Sequence, residues 1–125
     1  MRNSPAKRVL IAEDNDEIRK LVRSTLAREP SLEISAVSAN GTEALERAIA
    51  LKPDLVVLDL VLPGLSGGEI ASVLRKKLPE TKIVVFTMYG DTLGKIVAKS
   101  VGVDAVVAKS DGLTVLADTV RSLLQ

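Results

Sequence analysis

The feature that most constrains the fold of this chain is a set of short, almost wholly apolar runs that each lead into polar residues. Runs of this length without alternation are typical of strands covered on both faces, as in the parallel sheet of an α/β fold. The carboxyl ends of parallel strands share one edge, so we expect the polar residues to converge there. The runs are 9–12 before Glu13 and Asp14, 55–58 before Asp59, 83–86 before Thr87, and 105–108 before Lys109.

Amphipathic stretches alternate with these runs and predict a single (βα)5 domain over residues 1–125. Pro30, Pro53 and Pro79 each fall between a helix and the next strand. Right-handed crossovers then give a doubly wound parallel sheet in the order 2-1-3-4-5. The predicted strands are 7–12, 32–37, 55–59, 82–87 and 105–108, and the predicted helices are 16–28, 42–51, 66–78, 92–101 and 113–124.

Helical spacing also predicts which residues of each helix face the core. Asn15 or Asp14 is expected to cap the first helix and Ser66 the third. The basic run at 75–77 fits either a docking patch or, as we favour, a solvated helix end where cations suit the macrodipole. The predicted inward residues of the first two helices are Ile18, Leu21, Val22, Thr25 and Leu26, followed by Ala44, Leu45, Ala48 and Ile49.

The composition excludes several kinds of site. There is no cysteine and no histidine, so any metal must be a hard, oxygen-bound cation such as Mg²⁺, Mn²⁺ or Ca²⁺. A net charge of +1 and 2% aromatic residues argue against nucleic-acid binding by this domain. No apolar run approaches the ~20 residues of a membrane span, and the N-terminus lacks a signal-peptide core. We therefore expect a cytoplasmic protein without membrane contact.

The polar residues at the strand ends suit a divalent cation and a phosphoryl group. Glu13, Asp14 and Asp59 would repel one another unless a cation or a proton relieves the repulsion. Asp59 is a suitable nucleophile because carboxylates form aspartyl phosphates, and Lys109 would bridge it to a phosphoryl oxygen. Thr87 would donate its hydroxyl there. Taken singly, each residue has an ordinary alternative, such as acids at a helix start, a surface lysine or a β-branched strand residue.

Together these residues resemble the receiver domain of two-component response regulators, a flavodoxin-like fold, over essentially the whole chain. The matching segments are 9–15 and 59–67, with Thr87 and Lys109. Segments 87–91 and 109–113 are similar to the NarL-like branch. The resemblance implies transcriptional regulation if a helix-turn-helix domain follows, and a phosphoacceptor that catalyses only its own phosphorylation and dephosphorylation rather than an enzyme.

The resemblance also implies roles for the site residues. Asp59 would accept a phosphoryl group from a sensor histidine kinase or a phosphotransfer protein. Mg²⁺ would be bound by Asp14, Asp59 and the backbone carbonyl of Val61, with Glu13 acting through water. Lys109 and Thr87 would bind the phosphoryl oxygens. The fourth helix, fifth strand and fifth helix would form a face for a homodimer or another partner.

Two positions depart from the family pattern. Val106 stands where an aromatic residue usually swings inward on phosphorylation, and Met88 stands where many receivers have a small residue. Val106 motivates the alternative of a receiver that binds its partner constitutively. A phosphatase with Asp59 as nucleophile is disfavoured because Val61 replaces the expected second acid. A flavin module is disfavoured because the segment after the first strand contains three acids, Glu13, Asp14 and Asp16, which would repel a phosphate.

Overall fold

A computed structural model of the chain describes residues 5–90, 95–96 and 99–125. Within these residues one parallel sheet has the order β2-β1-β3-β4-β5, so the predicted doubly wound α/β fold is confirmed. The strands differ from the predicted bounds by at most one residue. They are β1 (Lys7–Ala12), β2 (Leu32–Ser38), β3 (Leu55–Leu58), β4 (Lys82–Thr87) and β5 (Ala105–Ala108).

The first three helices connect successive strands, and the predicted caps are found at α1 and α3. The Asn15 side chain accepts a hydrogen bond from the Ile18 amide, and Ser66 forms a capping box with Glu69. The helices are α1 (Asp16–Ala27), α2 (Gly41–Leu51), α3 (Gly67–Lys77) and a C-terminal helix (Leu113–Leu124). The helix predicted at 92–101 falls largely outside the described residues; within it, residues 95–96 and 99–100 are helical.

The sheet separates two hydrophobic layers, because alternate residues of each strand face opposite sides. Val9 and Ile11 of β1 pack with α1 and the C-terminal helix, whereas Leu10 and Ala12 pack with α2 and α3. Each fully buried aliphatic side chain stabilises the fold by about 1.5–3 kcal/mol. The two layers cover both faces of the sheet. The carboxyl edge of the sheet is not covered by them and is accessible to solvent.

The prediction of inward-facing residues is wrong at two positions. Leu21 is 52% exposed and Ile49 is 39% exposed. At about 100° per residue, Leu21 lies about 120° around the helix from the midpoint of Val22 and Leu26, the buried residues of α1. The buried face of α1 is therefore narrower than the i, i+3, i+4 spacing of apolar residues suggests, and Leu21 faces solvent.

The basic run at the end of α3 divides into two kinds of residue. Lys76 and Lys77 are exposed, as predicted for a solvated helix end. Arg75 is not solvated in this way: it forms a 2.9 Å ion pair with Asp104 and donates to the carbonyls of Pro79, Thr81 and Gly102. Arg75 thus links α3 to the segments before β4 and β5.

No helix within the described residues is long and apolar enough to cross a membrane.

Candidate functional site

The carboxyl ends of β1, β3 and β5 meet at a cleft of about 560 Å³. The switch in strand order between β1 and β3 places the loops that follow these strands on opposite sides of this point. The cleft is lined by acidic side chains, one lysine and several apolar residues. These are Glu13, Asp14, Asn15, Asp16, Ile18, Asp59, Val61, Met88, Tyr89 and Lys109.

Lys109 joins the two buried carboxylates of the cleft. Its Nζ lies 2.8 Å from Glu13 Oε1 and 2.8 Å from Asp59 Oδ2. The Glu13 and Asp59 side chains are only 4% and 8% exposed, and that of Lys109 is 14% exposed. One ammonium therefore compensates part of the charge of two carboxylates that burial would otherwise make costly.

The pKa values of Lys109 and Glu13 follow from this arrangement. Burial alone would lower the pKa of Lys109, but its hydrogen bonds and charge interactions with Asp59 and Glu13 outweigh burial and raise it. Burial raises the pKa of Glu13, and the nearby Asp59 adds to the rise, although hydrogen bonds from Lys109 and the Asn15 amide oppose it. Lys109 is therefore fully protonated at neutral pH.

Asp59 is fixed by the loop that follows β3. Its Oδ1 accepts a 3.3 Å hydrogen bond from the Val61 amide, which leaves Val61 beside the carboxylate. The Gly67 amide donates to the Leu60 carbonyl, and a Cβ at Gly67 would lie 2.1 Å from the Asp59 carbonyl oxygen. Only glycine permits this close approach, which turns the chain tightly from Asp59 into α3.

Glu13, Asp14 and Asp59 form a carboxylate cluster. One oxygen from each residue lies within 4.8 Å of the others. Glu13 is held from two sides, because its Oε2 accepts from the Asn15 amide at 3.0 Å and its own amide donates to the Ser38 carbonyl. Asp14 is exposed, and its carboxylate is free to meet a cation from solvent. A set of carboxylate oxygens without nitrogen or sulfur suits Mg²⁺ or Mn²⁺.

Thr87 does not share the cleft in this conformation. Its side chain is fully buried at the end of β4, and its Oγ1 accepts a 3.2 Å hydrogen bond from the Tyr89 amide. The residues that line the cleft after β4 are instead Met88 and Tyr89. The structure therefore brings Glu13, Asp14, Asp59 and Lys109 together, as their strand ends predict, and leaves the Thr87 hydroxyl behind them.

Two features of the site were not foreseen from the sequence. Val61, Met88 and Tyr89 form an exposed apolar rim of the cleft, with exposed fractions of 57%, 76% and 50%. Arg19 of α1 donates to the carbonyl oxygens of Glu13 and Asp14. The signal for the rim is that both loops place large apolar residues one or two positions after a strand-end polar residue. For Arg19, the signal is its position one turn into the helix that follows the acidic loop.

Comparisons with known proteins agree with this geometry. A family model described as the response regulator receiver domain matches residues 9–121. The response regulator protein VraR of Staphylococcus epidermidis is 31% identical over 116 residues, which are 93% of this chain and 56% of that protein. The chain thus spans about half the length of such curated relatives.

Solved structures agree as well. A DNA-binding response regulator of the LuxR family from Staphylococcus aureus superposes with a TM-score of 0.89 at 27% identity, covering 95% of this chain and 99% of that one. The response regulator domain of Thermotoga maritima CheB gives a TM-score of 0.85 at 25% identity, covering 96% and 95%.

Proposed function

The chain belongs to the response regulator receiver domain family of two-component systems, and on that premise we propose that Asp59 is its phosphoacceptor. The donor is a phosphohistidine of a sensor histidine kinase or of a phosphotransfer protein. The observation that carries the proposal is the buried Asp59 carboxylate, bonded to Lys109 within a cleft that also holds two further carboxylates. A structural ion pair would need neither the open cleft nor the additional acids.

The transfer exchanges one bond to phosphorus for another. An oxygen of Asp59 forms the new P–O bond as the P–N bond to the donor imidazole breaks, and the imidazole takes up a proton in place of the phosphoryl group. Lys109 lies 2.8 Å from Asp59 Oδ2, which is close enough for its ammonium to form a hydrogen bond to a phosphoryl oxygen on Asp59. Its raised pKa keeps the ammonium charged, so it stabilises the negative charge of the transferred group throughout.

The carboxylate cluster fits a magnesium or manganese ion. When bound, such an ion neutralises negative charge on the phosphoryl oxygens and helps to orient them. We propose that Asp14, Asp59 and the backbone carbonyl of Val61 bind the ion, and that Glu13 acts through a water molecule. The exposed Asp14 is accessible from solvent, whereas both Glu13 oxygens are already engaged by Lys109 and the Asn15 amide. This difference supports Asp14 as a direct ligand and Glu13 as a water-mediated one; the Asp59 oxygens also have partners, the Val61 amide and Lys109, so Asp59 is proposed as a direct ligand from the resemblance and from its place in the carboxylate cluster.

Phosphorylation would also alter the surface beside β4 and β5. The phosphoryl group adds about −1.5 to −2 charges, which attract the Thr87 hydroxyl. To reach it, Thr87 must leave its contact with the Tyr89 amide, so residues 88–90 would move. Exposed apolar residues on the elements that follow β4 include Ile96 and, on the C-terminal helix, Val115, at 60% and 42% exposure. We propose the fourth helix, β5 and the C-terminal helix as the surface of a homodimer or another partner; of the fourth helix the structure describes residues 95–96 and 99–100.

A second candidate function is constitutive partner binding. Val106 is half-buried on β5, where it pairs with Val85, and cannot swing as an aromatic ring would. If this reading holds, a phosphate mimic such as beryllofluoride leaves the oligomeric state and partner affinity unchanged. A change in either on beryllofluoride addition favours the phosphorylation-controlled switch.

The main proposal is tested with a small-molecule phosphodonor. Wild-type protein incubated with acetyl phosphate and Mg²⁺ should gain the mass of one phosphoryl group, about 80 Da, in intact mass spectra. Asp59→Asn should gain none, whereas Asp111→Asn, an exposed acid beyond Lys109, should behave as wild type. No gain in wild type, or an equal gain in Asp59→Asn, would refute phosphorylation at Asp59.

The length of the curated relatives bears on the biological role of this receiver. Because the curated relatives are about twice as long as the matched region, we propose that this receiver regulates transcription where a helix-turn-helix domain follows it. The domain itself is a signalling module whose chemistry is limited to its own phosphorylation and dephosphorylation.

A further inference from the structure

The loop between β1 and α1 is held by a guanidinium group that the phosphoryl chemistry leaves unused. Arg19 Nη1 donates to the Glu13 carbonyl at 3.0 Å and to the Asp14 carbonyl at 3.4 Å. Its Nη2 forms an ion pair with Asp16. The Arg19 side chain is 19% exposed, so most of it lies against the protein rather than in solvent. One side chain of α1 thus contacts two residues of the loop and Asp16, the first residue of the helix.

We propose that Arg19 is a positioning residue for the cation site: its fork fixes the backbone of Glu13 and Asp14 so that their carboxylates converge on Asp59. The inference rests on the proposed function for the identity of the cation, and on the observed contacts for the role of Arg19. Arg19 touches neither a cation ligand oxygen nor the phosphoacceptor. Its effect must therefore pass through the two carbonyl oxygens.

The contacts around the loop explain why one clamp has this influence. Glu13 is fixed at its carboxylate by Lys109 and the Asn15 amide, and at its own amide by the Ser38 carbonyl. Asp14 is exposed and has no such side-chain partner within the described residues. The Arg19 contact to its carbonyl, at 3.4 Å, restrains the backbone from which its carboxylate extends. Without Arg19, the Asp14 backbone would be less ordered in the cation-free protein. Cation binding would then have to order it, and this entropic cost lowers the affinity for the cation.

The charge of Arg19 acts in the opposite direction. A cation near three carboxylates weakens their attraction for Mg²⁺, although the ion pair with Asp16 offsets part of this effect. Removing Arg19 therefore gives tighter Mg²⁺ binding if charge dominates and weaker binding if positioning dominates. The sign of the change distinguishes the two roles, which a loss of stability alone would not do.

The experiment compares three variants with the wild-type chain. Arg19→Ala removes fork and charge, Arg19→Lys keeps the charge but lacks the planar fork, and Arg23→Ala removes an exposed cation one turn further along α1. Mg²⁺ dissociation constants are measured by calorimetry, with urea unfolding of each variant as a check of folding. Loop order is read without metal from the amide NMR relaxation of Asp14.

The positioning role predicts that Arg19→Ala weakens Mg²⁺ binding roughly ten-fold. Losses of this size are typical when a residue that orients metal ligands is removed. Arg19→Lys should show an intermediate loss, Arg23→Ala should match wild type or bind slightly tighter, and the Asp14 amide should become more mobile only in the Arg19 variants. Arg19→Ala binding Mg²⁺ as tightly as Arg23→Ala or more tightly would overturn the assignment, even if Asp59 is phosphorylated normally. A wild-type chain that binds no Mg²⁺ would instead overturn the proposed function, and the assignment with it.

Discussion

Lys109 offers the sharpest test of the site's electrostatics through Lys109→Met, which keeps the length of the side chain and removes its charge. The substitution leaves Glu13 and Asp59, with side chains 4% and 8% exposed, without their shared partner. Removing one partner of a buried ion pair costs about 3–5 kcal/mol. Because the cleft is open to water, we expect the lower end, about 3 kcal/mol at pH 7.5. That loss lowers the urea midpoint by on the order of 1.5 M.

The pH dependence of this loss identifies its cause. In the variant, Glu13 loses the hydrogen bond from Lys109 that lowers its pKa, so its folded-state pKa rises further above the unfolded value. The folded state then binds more protons, and stability falls as pH rises. The loss should therefore be larger at pH 8 than at pH 5, and Mg²⁺ should restore part of it. In wild type, Lys109 has a raised pKa, so its contribution is present below 10.5 and is lost only as pH rises through the folded-state value.

The assay is urea unfolding at both pH values, with Lys76→Met as the matched control at an exposed lysine of α3. Surface changes of this kind alter the free energy of unfolding by about 0.5 kcal/mol or less. If Lys109→Met were no more destabilising than Lys76→Met, or if its loss were the same at pH 5 and pH 8, the reasoning about the buried pair would be wrong.

Three further predictions concern residues around the site and the fold. Arg75→Ala should lower the free energy of unfolding by about 1–3 kcal/mol because its carbonyl and carboxylate partners lose a charged donor, whereas Lys76→Ala should change it little in the same urea titration. Gly67→Ala should cost about 1–3 kcal/mol and weaken Mg²⁺ binding, since its Cβ would lie 2.1 Å from the Asp59 carbonyl; unchanged calorimetric affinity and stability would contradict the close approach. Mg²⁺ affinity should fall as the pH is lowered toward the raised pKa of Glu13, and calorimetry from pH 8 to pH 5 should show a flatter profile for Glu13→Gln.

The strands could be predicted closely because burial on both faces leaves an unmistakable apolar pattern. The bounds of β1, β4 and β5 agree with the prediction, while β2 extends one residue to Ser38 and β3 ends one residue earlier, before Asp59. The starts of α1 and α3 were predictable from the N-caps Asn15 and Ser66, whose side chains bond within the first turn of the helix. Local chemistry is therefore enough for these features.

The meeting of the strand-end residues follows from topology, but their orientation does not. Parallel order brings Glu13, Asp59 and Lys109 to one edge whatever their side chains do. Whether a strand-end hydroxyl faces the cleft depends on the local turn, and the Thr87 side chain is held behind it by the Tyr89 amide. The roles of these residues in phosphorylation stay predictions until they are measured.

The arginines show where sequence patterns fail. Arg75 pairs with Asp104, 29 residues away, and no spacing rule connects them. Arg19 reads as one more polar residue on an amphipathic helix, and only the path of the β1–α1 loop shows that its fork reaches the carbonyls of Glu13 and Asp14. Such contacts depend on tertiary placement, which a helical pattern does not encode.

The phosphoacceptor can be identified by finding which residue carries the phosphoryl group. After reaction with acetyl phosphate and Mg²⁺, borohydride converts an aspartyl phosphate to homoserine, which peptide mass spectrometry identifies by position. We predict a single modified residue, Asp59, and none when Mg²⁺ is removed by chelation. Conversion at Asp14, at Glu13 or at an acid outside the cleft, with Asp59 unmodified, would contradict the assignment of Asp59 as the phosphoacceptor.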